Sequence, residues 1–137
     1  MNSVVKKHRF CYGHRIFEHK GKCRYPHGHN AEVFFEFSSD YLNPMGMVID
    51  FETIKKILCK WVDDNFDHRF FLYENDPLVK KMGDIEGVVK MGFNPTSENL
   101  ASYLLHEIGP NLLNGKGYQL TSVKLSESES SYAVATR

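Results

Sequence analysis

Between Ala31 and Phe37 the chain alternates in polarity residue by residue. Ala31, Val33, Phe35 and Phe37 fall on one side of an extended chain; Glu32 and Glu36 fall on the other, with Phe34 between them. A period of two is the signature of a strand with one covered face. Such a strand needs neighbours to pair with and a layer to bury its apolar side. Three more segments carry the same signal: Val4 to Tyr12, Tyr118 to Leu125, and Ser131 to Thr136. Aromatic residues make up 13% of the chain, ten Phe and seven Tyr among them, and they suit a pleated, half-buried surface.

Two segments change to helical spacing. From Phe51 to Phe66, the residues Phe51, Ile54, Leu58, Trp61 and Val62 form an apolar stripe, with Asp50 as N-cap. From Thr96 to Ile108, Leu100, Tyr103, Leu104 and Ile108 share one side. Asn94 as cap and Pro95 at the first helical position start this helix, and Gly109-Pro110 stops it. The stretch Phe70 to Phe93 reads as a long connection holding one short strand, Gly87 to Gly92. The order predicts an α+β domain spanning residues 1–137, a four-stranded antiparallel sheet with two helices on one face. The other face stays uncovered, and its phenylalanines call for self-association.

Seventeen basic residues balance seventeen acidic ones, so no global field draws the chain to nucleic acid or a membrane surface. The first residues carry no long apolar run, and the three cysteines, Cys11, Cys23 and Cys59, do not make a disulfide framework. A reducing cytoplasm is the expected setting.

The segment that carries chemistry is Cys23-Arg24-Tyr25-Pro26-His27-Gly28-His29. On an extended chain His27 and His29 project to the same side, half of a tetrahedral Zn²⁺ site. His14, after the first strand, is the best third ligand, and three imidazoles leave one position open, as catalytic zinc sites do. Three roles stand open for Cys23: a further ligand, a thiolate beside the metal, or a small packing residue. Cys59 beside the helical stripe and Cys11 in an apolar strand read as structural. Asp67-His68 is a carboxylate–imidazole pair suited to proton transfer. Glu127 alone would be a solvated acid at a strand end. Arg15, Lys20, Lys22 and Arg24 cluster around the metal segment.

These features together resemble the 6-pyruvoyltetrahydropterin synthase and 6-carboxytetrahydropterin synthase family. The resemblance rests on Phe10 to His14, on Cys23 to His29 with its C-x-x-x-H-G-H spacing, and on Gly46 to Phe51. It continues through Asp67-His68, Pro95-Thr96-Ser97-Glu98 and Glu127, over nearly the whole chain. It implies a tunnelling fold (T-fold) in which sheets of several subunits join into a barrel, usually a dimer of trimers with sites at the interfaces. It implies zinc on His14, His27 and His29, Cys23 as the catalytic thiol, and Asp67 and His68 as the proton relay. Glu127 is then the carboxylate that takes the pterin edge, with Thr96, and more loosely Glu98, at the pterin pocket. The implied substrate is 7,8-dihydroneopterin triphosphate, whose triphosphate needs cations; the cationic cluster reads either as that contact or as a solvated basic loop. The product is 6-carboxytetrahydropterin for queuosine-type synthesis, with loss of acetaldehyde and triphosphate; the pyruvoyl-forming reaction is the nearest alternative. A non-catalytic zinc-stabilised assembly protein is the reading from another class, with Cys23 closing the site. The chain departs from the family pattern at Pro26, Ala31 and Glu127-Ser128-Glu129.

Overall fold

The computed structural model describes residues 1–137. Strands β1 (Asn2–His14) and β2 (His27–Ser39) form a long antiparallel ladder, in register from Asn2 opposite Ser39 to His14 opposite His27. The expected alternation holds and extends further than the sequence reading placed it. Phe10, Tyr12 and His14 on β1, and Ala31, Val33, Phe35 and Phe37 on β2, are buried on one face. β3 (Arg69–Tyr73), β4 (Val88–Met91), β5 (Leu120–Ser126) and β6 (Tyr132–Thr136) complete the sheet.

The sheet has six strands in the order β4-β3-β1-β2-β5-β6, and it is mixed. The expected four-stranded antiparallel sheet is therefore corrected. β3 runs parallel to β1, with His14 opposite Phe71, and β4 runs parallel to β3. β3 lies in the stretch read as a connection because it does not alternate: Phe71 and Leu72 are both fully buried. Adjacent buried residues are the habit of parallel strands covered on both sides. The short helix α2 (Val79–Met82) lies between β3 and β4.

Helix α1 covers residues 51–65, starting on Asp50, whose carboxylate accepts the Glu52 amide at 2.9 Å. Helix α3 covers residues 97–113. Each contains one π-helical segment, Lys55–Cys59 in α1 and Leu104–Ile108 in α3. Their buried stripes, Ile54, Leu58 and Val62 on α1 and Leu100, Leu104 and Leu105 on α3, join the inward face of the sheet in one apolar cluster. Gly109-Pro110 does not stop α3. The wider π-turn before Pro110 accommodates the missing amide donor. Gly109 is where the helix meets β5: a Cβ there would lie 2.6 Å from Leu120 Cδ2 and 3.0 Å from the Leu104 carbonyl.

The outer face of the sheet carries no helical layer over its β1–β2–β5–β6 part. Of the phenylalanines expected there, only Phe34 faces out, and Lys124 lies over its ring at 4.6 Å. Val5, Tyr132 and Val134 on the same face are exposed.

Candidate metal centre and active site

The β1–β2 register builds the centre. Directly opposed residues of an antiparallel pair share a face, so His14 opposite His27 and Tyr12 opposite His29 bring three imidazoles to one end of the ladder. Their ring centroids lie 4.6 to 5.0 Å apart, and a donor atom from each falls within 4.8 Å of the others. Imidazole nitrogens around a tetrahedral Zn²⁺ stand about 3.3 Å from each other. His14 Nε2 and His29 Nε2 are 3.1 Å apart.

The tautomers follow from the other ring nitrogens. His14 Nδ1 lies 2.6 Å from the Pro95 carbonyl, and His27 Nδ1 lies 2.7 Å from the Tyr25 carbonyl. A carbonyl only accepts, so Nδ1 is the protonated nitrogen on both rings and Nε2 keeps its lone pair. Backbone carbonyls in this role fix ring orientation at metal sites. Burial pushes the His14 pKa down to about 4, and the His27 and His29 rings add to that effect; the Pro95 carbonyl and Glu127 oppose it. Burial also lowers His29, with Glu127 opposing and His27 adding. Neutral imidazole is the ligating form, so the donor set fits a zinc-class cation.

Glu127 follows β5 and reaches the same spot. Its carboxylate lies 3.7 Å from His29 Nε2 and 3.9 Å from His14 Nε2. Tyr12 donates its hydroxyl to Glu127 Oε1 at 3.2 Å. Burial, and after it the charge of Glu127, holds the Tyr12 phenol above its ordinary range. The sequence motifs do not single out Tyr12, although its place two residues before His14 on a strand puts both on one face.

Asp67 and His68 stand just before β3. Asp67 Oδ2 lies 3.0 Å from His68 Nδ1, and Asp67 Oδ1 accepts the Cys11 amide at 2.9 Å. Burial alone would raise the Asp67 carboxyl; the Cys11 amide and then His68 bring it below the usual range. His68 has φ +61°, uncommon for a residue with a Cβ, and its side chain is 75% exposed. An open cleft of about 690 Å³ is lined by His27, His29 and His68 among others, and a second of about 850 Å³ by His29, Asp67, His68 and Glu127.

Other expected site residues lie apart. Cys23 sits exposed in the 3₁₀ turn Lys22–Arg24 and is not among the donors that converge with the histidines. Thr96, not Asn94, is the N-cap of α3, and its hydroxyl accepts the Asn99 amide at 3.1 Å. Asn94 instead clasps Phe17, accepting its amide at 3.0 Å and donating to its carbonyl at 2.9 Å. Glu98 is exposed and accepts from Ser97 Oγ at 2.9 Å. Neither Thr96 nor Glu98 lines the two clefts. The Pro-Thr-Ser-Glu segment reaches the centre through the Pro95 carbonyl. Of the cationic cluster, Arg15 is paired with buried Asp76, and Arg24 stacks on Tyr25 at 4.3 Å. Lys20 and Lys22 remain exposed. Cys59 is buried, which raises its thiol to about 11 and suits a packing role. Cys11 is half-buried, beside Asp67.

Comparison with known proteins decides the family. The family profile described as 6-pyruvoyl tetrahydropterin synthase matches residues 3–137. The chain belongs to that family. It is therefore an enzyme of the lyase kind found there. It is 39% identical over 133 residues to the 6-carboxy-5,6,7,8-tetrahydropterin synthase of Rickettsia conorii, covering 93% of this chain and 94% of that one. It is 38% identical to the protein of the same name from Rickettsia typhi, covering 96% and 98%. Among solved structures, an uncharacterized protein from Wolinella succinogenes superposes with a TM-score of 0.87 at 26% identity, over 99% of this chain and 98% of that one. The 6-pyruvoyl tetrahydropterin synthase of Caenorhabditis elegans superposes with a TM-score of 0.72 at 23% identity, over 99% and 95%, and shares the fold.

Proposed function

We propose that this pterin synthase is a zinc-dependent lyase that converts 7,8-dihydroneopterin triphosphate to 6-carboxy-5,6,7,8-tetrahydropterin, releasing acetaldehyde and triphosphate, in a queuosine-type route in the cytoplasm. The observation that carries this reading is the three-imidazole centre, with two Nδ1–H groups committed to carbonyls and no thiol among its converging donors. The carboxy-forming branch is favoured because the relatives at 36 to 39% identity over more than nine-tenths of the chain bear that name.

His14, His27 and His29 would hold the zinc ion. Zinc supplies a Lewis acid that lowers the cost of charge on the side-chain oxygens of the substrate. Glu127 accepts paired donors from the pterin edge, with its orientation set by Tyr12. His68, held by Asp67, exchanges protons with the substrate side chain, and its exposure lets it reach a bound molecule. Cys23 acts as the thiolate base at a side-chain carbon. It stands outside the donor cluster of its own chain, which suits a site completed between subunits. The uncovered outer face of the sheet and the edge strands β4 and β6 support assembly into a barrel, as a homohexamer built from two trimers. Thr96 and Glu98 act through the turn that presents Pro95.

The test is a product assay with metal-replete protein and dihydroneopterin triphosphate. Acetaldehyde together with the carboxy product is the expected result. The pyruvoyl product without carbon–carbon cleavage would move the chain to the sister reaction. Cys23→Ala should keep its metal and lose turnover; loss of metal in that variant would instead make the site a closed structural one.

A further inference from the structure

A second set of metal-ligating groups lies on the opposite side of β1 from the three histidines. Cys11 falls one residue out of phase with Phe10 and Tyr12, so it points to the outward face, opposite Asn30 on β2. Its Sγ, an Asp67 carboxylate oxygen and a His68 ring nitrogen lie within 4.8 Å of one another. Three backbone and side-chain ties hold them there. Asp67 accepts the Cys11 amide at 2.9 Å, the His68 amide donates to the Cys11 carbonyl at 2.7 Å, and His68 Nδ1 meets Asp67 Oδ2 at 3.0 Å. The left-handed backbone at His68 turns the ring back toward its neighbours, and all three residues line the same cleft.

We propose that Cys11, Asp67 and His68 bind a second divalent ion of the zinc class, separate from the three-histidine centre, and that its occupancy inhibits the enzyme. The donors decide the class. Thiolate, imidazole and carboxylate together select borderline-soft ions such as Zn²⁺, Co²⁺ and Cd²⁺ over Mg²⁺ and Ca²⁺, which want oxygen alone. Tetrahedral coordination needs donors about 3.3 to 3.7 Å apart, so the side chains close by no more than about 1.5 Å on binding. The exposed His68 ring is free to make that turn, at the cost of its bond to Asp67. Binding replaces the Cys11 thiol proton: S–H and M²⁺ become S–M⁺ and H⁺, with no change of oxidation state. Once its nitrogen is on the ion, His68 can no longer exchange a proton. The inhibition, unlike the binding, rests on the proposed role of His68 as proton carrier. General acid–base groups are worth roughly 10² to 10⁴ in rate, so saturation should slow turnover by at least about 10²-fold.

The experiment titrates the metal-stripped full-length chain with Co²⁺ and with Zn²⁺, under a non-thiol reductant, in three forms: native, Cys23→Ala and Cys11→Ser. Native protein and Cys23→Ala should take two equivalents per chain, the second bringing a thiolate-to-cobalt charge-transfer band. Cys11→Ser should take one equivalent, without that band, keep native basal turnover, and resist excess Zn²⁺. Cys11→Ala serves as a second variant, since both backbone ties at Cys11 survive either change. A single equivalent without that band in the native chain, or a second equivalent and band that persist in both Cys11 variants, would overturn the site; a single equivalent with the band, lost in Cys11→Ser, would leave it standing and overturn the three-histidine centre instead. A second equivalent that leaves turnover intact would overturn the inhibition and, with it, the assignment of His68, while the binding site stands.

Discussion

Arg15 lies one residue after His14 and would be counted among the groups that meet a triphosphate, yet the fold has already used its charge. Its Nε donates to Asp76 Oδ2 at 2.6 Å, and Nη2 donates to Oδ1 of the same carboxylate. The Asp76 side chain is fully buried, and its Oδ1 also accepts the Leu78 amide at 2.8 Å. Burial would raise that carboxyl; Arg15 and then the Leu78 amide bring it below its ordinary range. Arg15→Met keeps much of the apolar stem and removes the guanidinium, stranding a buried carboxylate. Breaking a buried pair from one side costs about 3–5 kcal/mol. For a chain of 137 residues that is roughly 10–20 °C in Tm. Adding Asp76→Asn removes the stranded charge and should recover part of the loss. The sign of the pH dependence follows from the lowered carboxyl. Its contribution is present above the unfolded value, 3.8, and fades as pH falls through the folded value, so the gap between native and Arg15→Met narrows in acid. Urea unfolding followed by circular dichroism at fixed protein concentration, from pH 7 down to about pH 2, below the unfolded value, reads all of this. A loss below about 1 kcal/mol, or one that Asp76→Asn does not relieve, would refute the structural role. A raised KM for the triphosphate with unchanged stability would return Arg15 to the substrate.

Tyr12→Phe removes the hydroxyl donated to Glu127 and should lower kcat/KM about 10- to 150-fold, the worth of one hydrogen bond to a charged group, with metal content unchanged by elemental analysis. The chelated, metal-free chain should lose stability on acidification. The folded His14 pKa, about 4, lies below the unfolded 6.5, so the unfolded chain binds the extra proton first, and up to about 3 kcal/mol is lost between those values. Urea midpoints at pH 7, 6 and 5 measure it, and a flat profile would contradict the burial argument. Gly109→Ala, which in an ordinary helix would stabilise, should instead cost about 1–3 kcal/mol by driving a Cβ into Leu120 and the Leu104 carbonyl.

What could be read in advance was whatever obeys a local period. The strand signal in Ala31 to Phe37, the stripe of Phe51 to Phe66, and the projection of His27 and His29 to one side all depend on near neighbours in the chain, and all reappear in the fold, except that Phe51 at the head of the stripe is exposed. β3 was invisible because Phe71 and Leu72 are both covered, which leaves no alternation to detect. Gly109-Pro110 misled because a stop signal read locally ignores the π-turn before it and the close approach of β5. The Pro95 carbonyl and the Tyr12–Glu127 bond were out of reach for another reason. They join residues 81 and 115 positions apart, and only the assembled sheet brings them together.

The site and the core are specified by the same register. Phe10 opposite Ala31, and Val33, Phe35 and Phe37 beyond it, fix which face of the β1–β2 ladder turns toward the helices. Side chains on a strand change face at each step, so a slip of one residue would expose four buried apolar groups and carry His27 and His29 outward with them. The imidazoles therefore need no separate device to hold them inward; the free energy that buries Phe35 and Phe37 also aims the ligands. The same alternation forces the residues between them outward. Gly13 and Gly28 face Phe70 and the cleft, and Cys11 faces Asp67 and His68. A single strand thus divides two chemistries by parity, and substitution at Tyr12 should disturb one of them while substitution at Cys11 disturbs only the other.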